Sequence, residues 1–154
     1  MNVLAEKDGK VFAQTGIDGP DAFVSPFEGE LFPCLIWDHD GCVDAAGRSA
    51  IARKLLESGC RYAVCGGQNC EAWHDAIDIE YVEMDLERFD APEDIPFVMT
   101  TWHDAESPDD VAFFFVQNTN FDAHDFRRYL VLHIGTGPTR DELDAAVRQH
   151  ALDE

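Results

Sequence analysis

From residue 31 onward, short apolar runs alternate with segments of helical period, and this alternation constrains the fold more than any other feature of the chain. Residues 31–37 form a compact apolar strand candidate. Residues 45–58 follow as a helix in which Ile51, Leu55 and Leu56 make one apolar face, and Gly59 stands where a left-handed C-terminal cap belongs. Residues 61–65 read as a second strand, Gly66-Gly67 as its turn, and a helix starts near Asn69 or Cys70. An acidic stretch spans 78–94, and 96–101 is the third strand candidate. Ser107-Pro108-Asp109-Asp110 is a helix start: Ser107 caps, Pro108 suits the first helical position, and the aspartates favour the positive end of the dipole. Residues 129–134 are the fourth strand, and Thr139 with Glu142 reads as a capping box for the last helix. Such alternation predicts a mainly parallel sheet covered on both faces, with right-handed connections. The expected class is α/β, a small Rossmann-like or flavodoxin-like three-layer sandwich with four or five strands.

The first thirty residues differ. Asp8-Gly9, Asp18-Gly19-Pro20 and Ser25-Pro26 punctuate short apolar stretches such as Val11-Phe12. They read as an N-terminal arm with room for a short hairpin, followed by a single α/β domain over 31–154. A length of 154 residues suits one domain.

Charge limits the partners. The formal net charge is −20, and the lysines are Lys7, Lys10 and Lys54. A phosphate backbone or an anionic membrane needs a basic patch, so neither nucleic acid nor membrane is an expected partner. The acids are spread along the chain, which fits solubility in an acidic or salt-adapted proteome; a basic protein partner and mimicry of nucleic-acid charge are the sharper alternatives. The first ten residues lack a basic-then-apolar leader, and apolar runs are too short to cross a bilayer, so the expected location is the cytoplasm. Five cysteines without a C-x-x-C pair argue against a disulfide framework and a zinc ribbon; most read as small buried hydrophobes.

In open α/β sheets ligands bind beyond the carboxyl ends of the strands. That rule gathers Asp38, His39, Asp40 and Gly41 after the first strand, and Cys65, Gly66, Gly67, Gln68, Asn69 and Cys70 at the second. Thr101, Trp102, His103 and Asp104 follow the third, and Gly135, Thr136 and Gly137 the fourth. The catalytic candidates are Asp38, Asp40, Cys65, Cys70, His74 and His103; the ligand-binding candidates are Gly66, Gly67, Thr101, Trp102, Asp104, Gly135 and Thr136. The plain reading is that strand-to-helix loops are polar anyway.

Four constellations carry chemistry. Asp38-His39-Asp40-Gly41 after an apolar run resembles the first motif of haloacid-dehalogenase-type phosphotransferases. The resemblance implies Asp38 as nucleophile on phosphorus, Asp40 as acid/base and Mg²⁺ as counter-charge. Cys65-Gly66 stands where that family wants Ser or Thr, and Lys54 is not in the family's later place. Mg²⁺ is expected only on this reading; otherwise no cofactor is indicated, and the bland alternative is a solvated Asp-Gly turn. Ala63-Val64-Cys65-Gly66-Gly67 resembles the nucleophile elbow of thiol amidotransferases, with Ala63 replacing the leading glycine. A buried strand-end thiol explains the same string. Cys70 and His74 share a helical face at i and i+4, and the helix N-terminus favours a thiolate at Cys70. Two ligands make no metal site, a third would have to come from the His103 loop, and no metal is expected. Gly135-Thr136-Gly137-Pro138-Thr139 joins a strand to a helix N-terminus as phosphate cradles do, without the longer glycine fingerprint.

Cys70-x-x-x-His74-Asp75 together with Met99-Thr100-Thr101-Trp102-His103-Asp104 resembles a family of small uncharacterised bacterial cytosolic proteins, a domain of unknown function. The resemblance covers roughly residue 31 to the C-terminus. It implies a bacterial cytosolic domain, draws attention to His74, Trp102 and His103, and gives no catalytic assignment. The sequence reading is an acidic α/β binding or regulatory domain engaging a protein or a small ligand. Its alternative is a small hydrolase or phosphotransferase, built on Asp38 and Asp40 with Mg²⁺ or on a Cys/His pair. Whether the chain is an enzyme, and its oligomeric state, stay open on sequence alone.

Overall fold

The structure, a computed structural model, describes residues 1–19, 23–24, 27, 29–87, 98–119 and 125–153. The chain opens with a hairpin of β1 (Asn2–Lys7) and β2 (Lys10–Ile17). Lys7 pairs with Lys10, so Asp8-Gly9 is a two-residue loop, with φ of 55° and 81°. Two successive positive φ values are the signature of the turn whose twist matches antiparallel strands, and Asp-Gly is among the pairs that adopt it most readily.

The other elements follow in strict alternation: β3 (Phe32–Asp38), α1 (Ala45–Ser58), β4 (Cys60–Gly67), α2 (Cys70–Glu87), β5 (Met99–Trp102), α3 (Pro108–Gln117), β6 (Arg128–Ile134) and α4 (Arg140–Leu152). The described residues thus form a mixed α/β structure with four helices and a six-stranded sheet in the order β1-β2-β6-β3-β4-β5. Only β1 runs antiparallel to its neighbour. β3 and β6 occupy the centre, and every residue of β3 is buried. This is why their sequences are nearly continuous in apolar residues: a parallel strand with helices above and below has no solvent face.

Successive residues of one strand serve opposite cores. Cys34, Ile36, Ala63, Cys65, Leu130 and Leu132 join Ile51, Leu55, Trp73 and Ile77 of α1 and α2. Leu35, Trp37, Val64, Tyr129 and Val131 join Val111, Phe115, Leu143 and Val147 of α3 and α4. Each helix pair therefore covers one face of the sheet. The path from β3 through α1, β4 and α2 to β5 moves outward in one direction, and α3 then returns the chain to β6 on the other side of β3. The direction of winding reverses between β3 and β6, the place where open α/β sheets form a crevice beyond the strand ends. Among the described residues no helix is long and apolar enough to cross a membrane.

Six strands replace the four or five expected because the N-terminal hairpin joins the sheet: β2 pairs with β6 at seven successive positions, from Val11 to Ile17. Its Gln14, Thr15 and Gly16 break the apolar run and hide it from a hydropathy reading. Gly66 and Gly67 lie inside β4 rather than in its turn, and the turn follows at Gln68 and Asn69. Helix α2 extends into the acidic stretch as far as Glu87, while the rest of that stretch (88–94) and the start of the expected third strand (96–97) lie outside the described residues. Ser107 caps α3 as expected, accepting from the Asp110 amide. Thr139 does not cap α4 with its side chain; its hydroxyl turns to His39 instead.

Gly59 ends α1 at φ 113°, donating its amide to the carbonyl of Leu56. A Cβ here would stand 2.7 Å from the carbonyl oxygen of Glu30, on a neighbouring segment that cannot swing away like a side chain. Gly59→Ala is expected to destabilise the fold by about 1–3 kcal/mol through strain at this backbone position. A lower urea midpoint at unchanged m-value would show it; an unchanged midpoint would refute the steric argument.

Candidate functional site

The carboxyl ends of the parallel strands bring most of the sequence candidates to one edge, but not to one cleft. Asp38, at the end of β3, is fully buried. The Gly41 amide donates to its Oδ1 (2.8 Å) and the indole N–H of Trp73 to its Oδ2 (2.9 Å). A carboxylate held on both oxygens inside the protein ties the β3–α1 turn to α2. It does not fit a nucleophile on phosphorus or a Mg²⁺ ligand, both of which need an oxygen facing the substrate.

Asp40 is exposed, and its carboxylate accepts from the amides of Thr136 (3.2 Å) and Cys42 (3.2 Å). These backbone donors hold its carboxyl below the usual range, the Thr136 amide most strongly. Gly135, at φ 73°, lies directly under it, and any Cβ there would collide with the carboxylate. The Gly135 amide donates to Ile17 O. The suspected phosphate cradle is therefore filled from within: an acidic side chain sits where an external anion would bind.

The thiol candidates are packed, not poised. Cys65 is fully buried, and its thiol is pushed well up by burial, with Cys60, Cys70 and Asp78 adding to the effect. Gly66 and Gly67 are small for packing reasons: a Cβ on Gly66 would press on the Trp37 ring at 2.7 Å, and Gly67, at φ 76°, passes hard against the Asp38 backbone. Cys70 does begin α2, but burial raises its thiol too, helped by Asp104, and outweighs the helix dipole that favoured a thiolate on sequence grounds. Among the described residues no group of three or more His, Cys, Asp or Glu could hold a metal ion.

His74 and His103 part company. His74 lies 3.0 Å from Asp75 and 3.4 Å from Asp78, with its ring edge-on to Trp102 at 4.6 Å. His103 is buried, between the Thr101 hydroxyl (2.9 Å) and Glu106 (3.0 Å), with its ring against Phe114 of α3. What remains together is Trp102, 46% exposed, with Asp104, Asn69, Cys70, Glu71 and Ala72 around a cavity of about 270 Å³.

A second grouping was not assembled by the sequence. At the winding reversal between β3 and β6, His39 Nε2 lies 2.8 Å from His133 Nδ1, and His133 Nε2 lies 2.7 Å from Asp144 Oδ1. The far nitrogen of His39, Nδ1, is 3.3 Å from the Thr139 hydroxyl. A carboxylate can only accept; with both rings uncharged, His133 then carries its hydrogen on Nε2 and accepts at Nδ1, and His39 donates from Nε2. The His39 Nδ1 lone pair is then left to accept from Thr139. Burial lowers the His39 pKa, and His133 and Arg140 add to that, against Asp38 and Asp40. These residues stand 94 and 11 positions apart in sequence. The signal was a histidine at the end of each of two strands, and only their adjacency makes it readable.

Thiol reactivity and acid stability both test this geometry. Among the cysteines only Cys42 is exposed, and neighbouring Asp40 raises its thiol pKa. A native titration with a thiol reagent should show one fast thiol, lost in Cys42→Ser and faster in Asp40→Asn; a second fast thiol would contradict the burial of the other four. For His39, the folded pKa lies below the unfolded value of about 6.5, so the unfolded chain binds the extra proton first. Its contribution is fully present above that value and is lost as pH falls through the folded pKa. Wild type should therefore lose more stability than His39→Gln between pH 7 and 5, read by urea denaturation. Parallel curves would remove the effect.

No curated protein and no solved structure matches the chain. A family match does exist, over residues 15–150; it starts inside β2, earlier than the residue-31 boundary suggested by the sequence motifs. The chain belongs to the family described as Domain of unknown function (DUF7684).

Proposed function

We propose that this chain is a doubly wound, Rossmann-like binding domain of the bacterial cytoplasm, and that its carboxyl edge receives a lysine or arginine side chain of a protein partner over Trp102. The observation that carries the reading is an aromatic ring 46% exposed in a recess shared with Asp104 and Glu71. Large aromatic rings are left half in water at a cost in apolar exposure, and a cation over the ring face recovers about 0.5–2 kcal/mol. The His74 ring fixes one side of Trp102 and leaves its orientation defined. A net charge of −20 adds long-range attraction and speeds encounter with a basic partner.

Binding is favoured over thiol or phosphoryl chemistry because Asp38, Cys65 and Cys70 are all engaged internally. Of the three tryptophans, Trp37 and Trp73 are buried, so Trp102 dominates the solvent-sensitive emission. Titration with an arginine-rich peptide should change that emission, and Trp102→Ala should weaken binding about 3- to 30-fold, the range expected for one cation–π contact. Asp104→Asn should weaken it as well. A small guanidinium compound that binds as tightly as the peptide would replace a protein partner by a metabolite. Equal binding by wild type and both variants would mean diffuse attraction to an acidic surface and would reject the recess.

A further inference from the structure

We propose that Thr139 and His39 form an acyl-transfer site at the winding reversal between β3 and β6, acting on uncharged carboxylic esters, with His133 and Asp144 as positioning residues. This site lies apart from the recess at Trp102 and uses none of its residues.

The Thr139 hydroxyl has an unusual partner. It precedes α4 at the position where a threonine normally accepts from the helix's own amides, yet it makes no such bond. It faces His39 Nδ1 instead, at 3.3 Å, the nitrogen left with a free lone pair by the hydrogen-bond order running back to Asp144. A hydroxyl beside an imidazole that is itself oriented by an acidic partner is the arrangement of an activated nucleophile. Here a second imidazole, His133, stands between base and carboxylate and is fully buried. The base is held from several sides. The His39 amide donates to Ile134 O (2.9 Å), the Gln68 side chain donates to its carbonyl (3.3 Å), and Gly137 packs close enough that a Cβ there would stand 3.1 Å from His39 Nδ1. His39 and Thr139 are both partly exposed, so a substrate reaches them from solvent.

The step balances with water as the second reactant. Thr139 Oγ1 attacks the ester carbonyl carbon while its proton passes to His39 Nδ1. The positive charge so formed is stabilised through His133 by Asp144. The oxyanion faces the start of α4; the Arg140 amide already donates to Gly137 O (3.5 Å), so the donors are the next first-turn amides, which have no intrahelical acceptor. Collapse breaks the bond to the leaving alkoxide, which takes the proton from His39, and leaves an acyl ester on Thr139. Water, giving one proton to His39, then attacks that ester; the proton passes on to Thr139 Oγ1 as the carboxylic acid departs, and the acid releases its remaining proton to solvent. Charge around His39 is mixed, with Arg140 of α4, held in place by Gln14 (2.9 Å), set against the Asp38 and Asp40 carboxylates, and this balance suits an uncharged ester.

The test uses the full chain with p-nitrophenyl acetate and, separately, a fluorophosphonate probe followed by peptide mass spectrometry. Expected are turnover above the buffer rate and a covalent adduct on Thr139. Thr139→Ala should lose both at unchanged Tm, Thr139→Ser should keep both, and His39→Gln should slow turnover about 100-fold or more. Asp144→Asn should shift the pH–rate profile, which a merely structural contact would not do. An adduct on Cys42, no adduct at all, or equal turnover in wild type and Thr139→Ala overturns the proposal. None of these results bears on peptide binding at Trp102, so the two readings fail separately.

Discussion

The buried carboxylate of Asp38 is the contact on which the carboxyl edge depends. It closes the central strand β3, holds the turn that follows through Gly41, and reaches the indole of Trp73 on α2, thirty-five residues away. Its own carbonyl accepts from the Gln68 amide, so β4 and α2 are fixed to the same residue. A carboxylate in an apolar interior is tolerated only with such donors, and removing either leaves an uncompensated group costing several kcal/mol. The glycine at position 67 belongs to this clasp: its left-handed backbone and missing side chain let β4 approach the Asp38 backbone. What reads in sequence as a catalytic aspartate is thus the fastener that sets where neighbouring side chains stand.

Once that edge is fixed, its chemistry divides. On the β5 side, Trp102 and His74 sit among acids, and no cation of the described residues lines their recess. At the winding reversal, Asp40 takes the Thr136 amide beside Gly135, and two imidazoles lead back to Asp144. Acids surround the first place, and at the second a carboxylate already occupies the Thr136 amide.

Much of this architecture is legible from residues alone. Apolar runs of strand length gave β3, β4 and β6 within a residue or two, because a strand buried on both faces must be nearly all apolar. The α3 start was readable because Ser-Pro-Asp-Asp acts locally, through its own amides. The missed features are non-local. β2 carries polar residues, and its membership depends on β6, more than a hundred residues later. Thr139 has the sequence of a cap, but His39 competes for its hydroxyl from across the sheet. Cys70 has the position of a thiolate, but the depth of its burial is set by neighbours that the local string does not name. The positions of the strand ends were therefore legible and the contacts between their side chains were not: strand ends follow from hydropathy, whereas which side chains meet there follows from register.

The few cations are placed with the same consistency. Acids occupy the first turns of α2, α3 and α4, beside the positive ends of those helices. The helices carry little basic charge in their last turns, only His150 of α4, so the complement comes from other segments: Lys7 donates to Leu152 O and Arg61 to Leu56 O. Lys7, Lys10, Arg127 and His150 together line a cavity at the opposite, amino edge of the sheet, around the ends of α3 and α4. In a chain with eleven Lys and Arg against thirty-one Asp and Glu, gathering cations at that end leaves few for the carboxyl edge, Arg140 at the start of α4 among them. The helix dipoles alone would make that edge attractive to phosphate, as in most sheets of this winding. Side-chain charge works against that preference on the β5 side, where Glu71 and Asp104 stand beside Trp102.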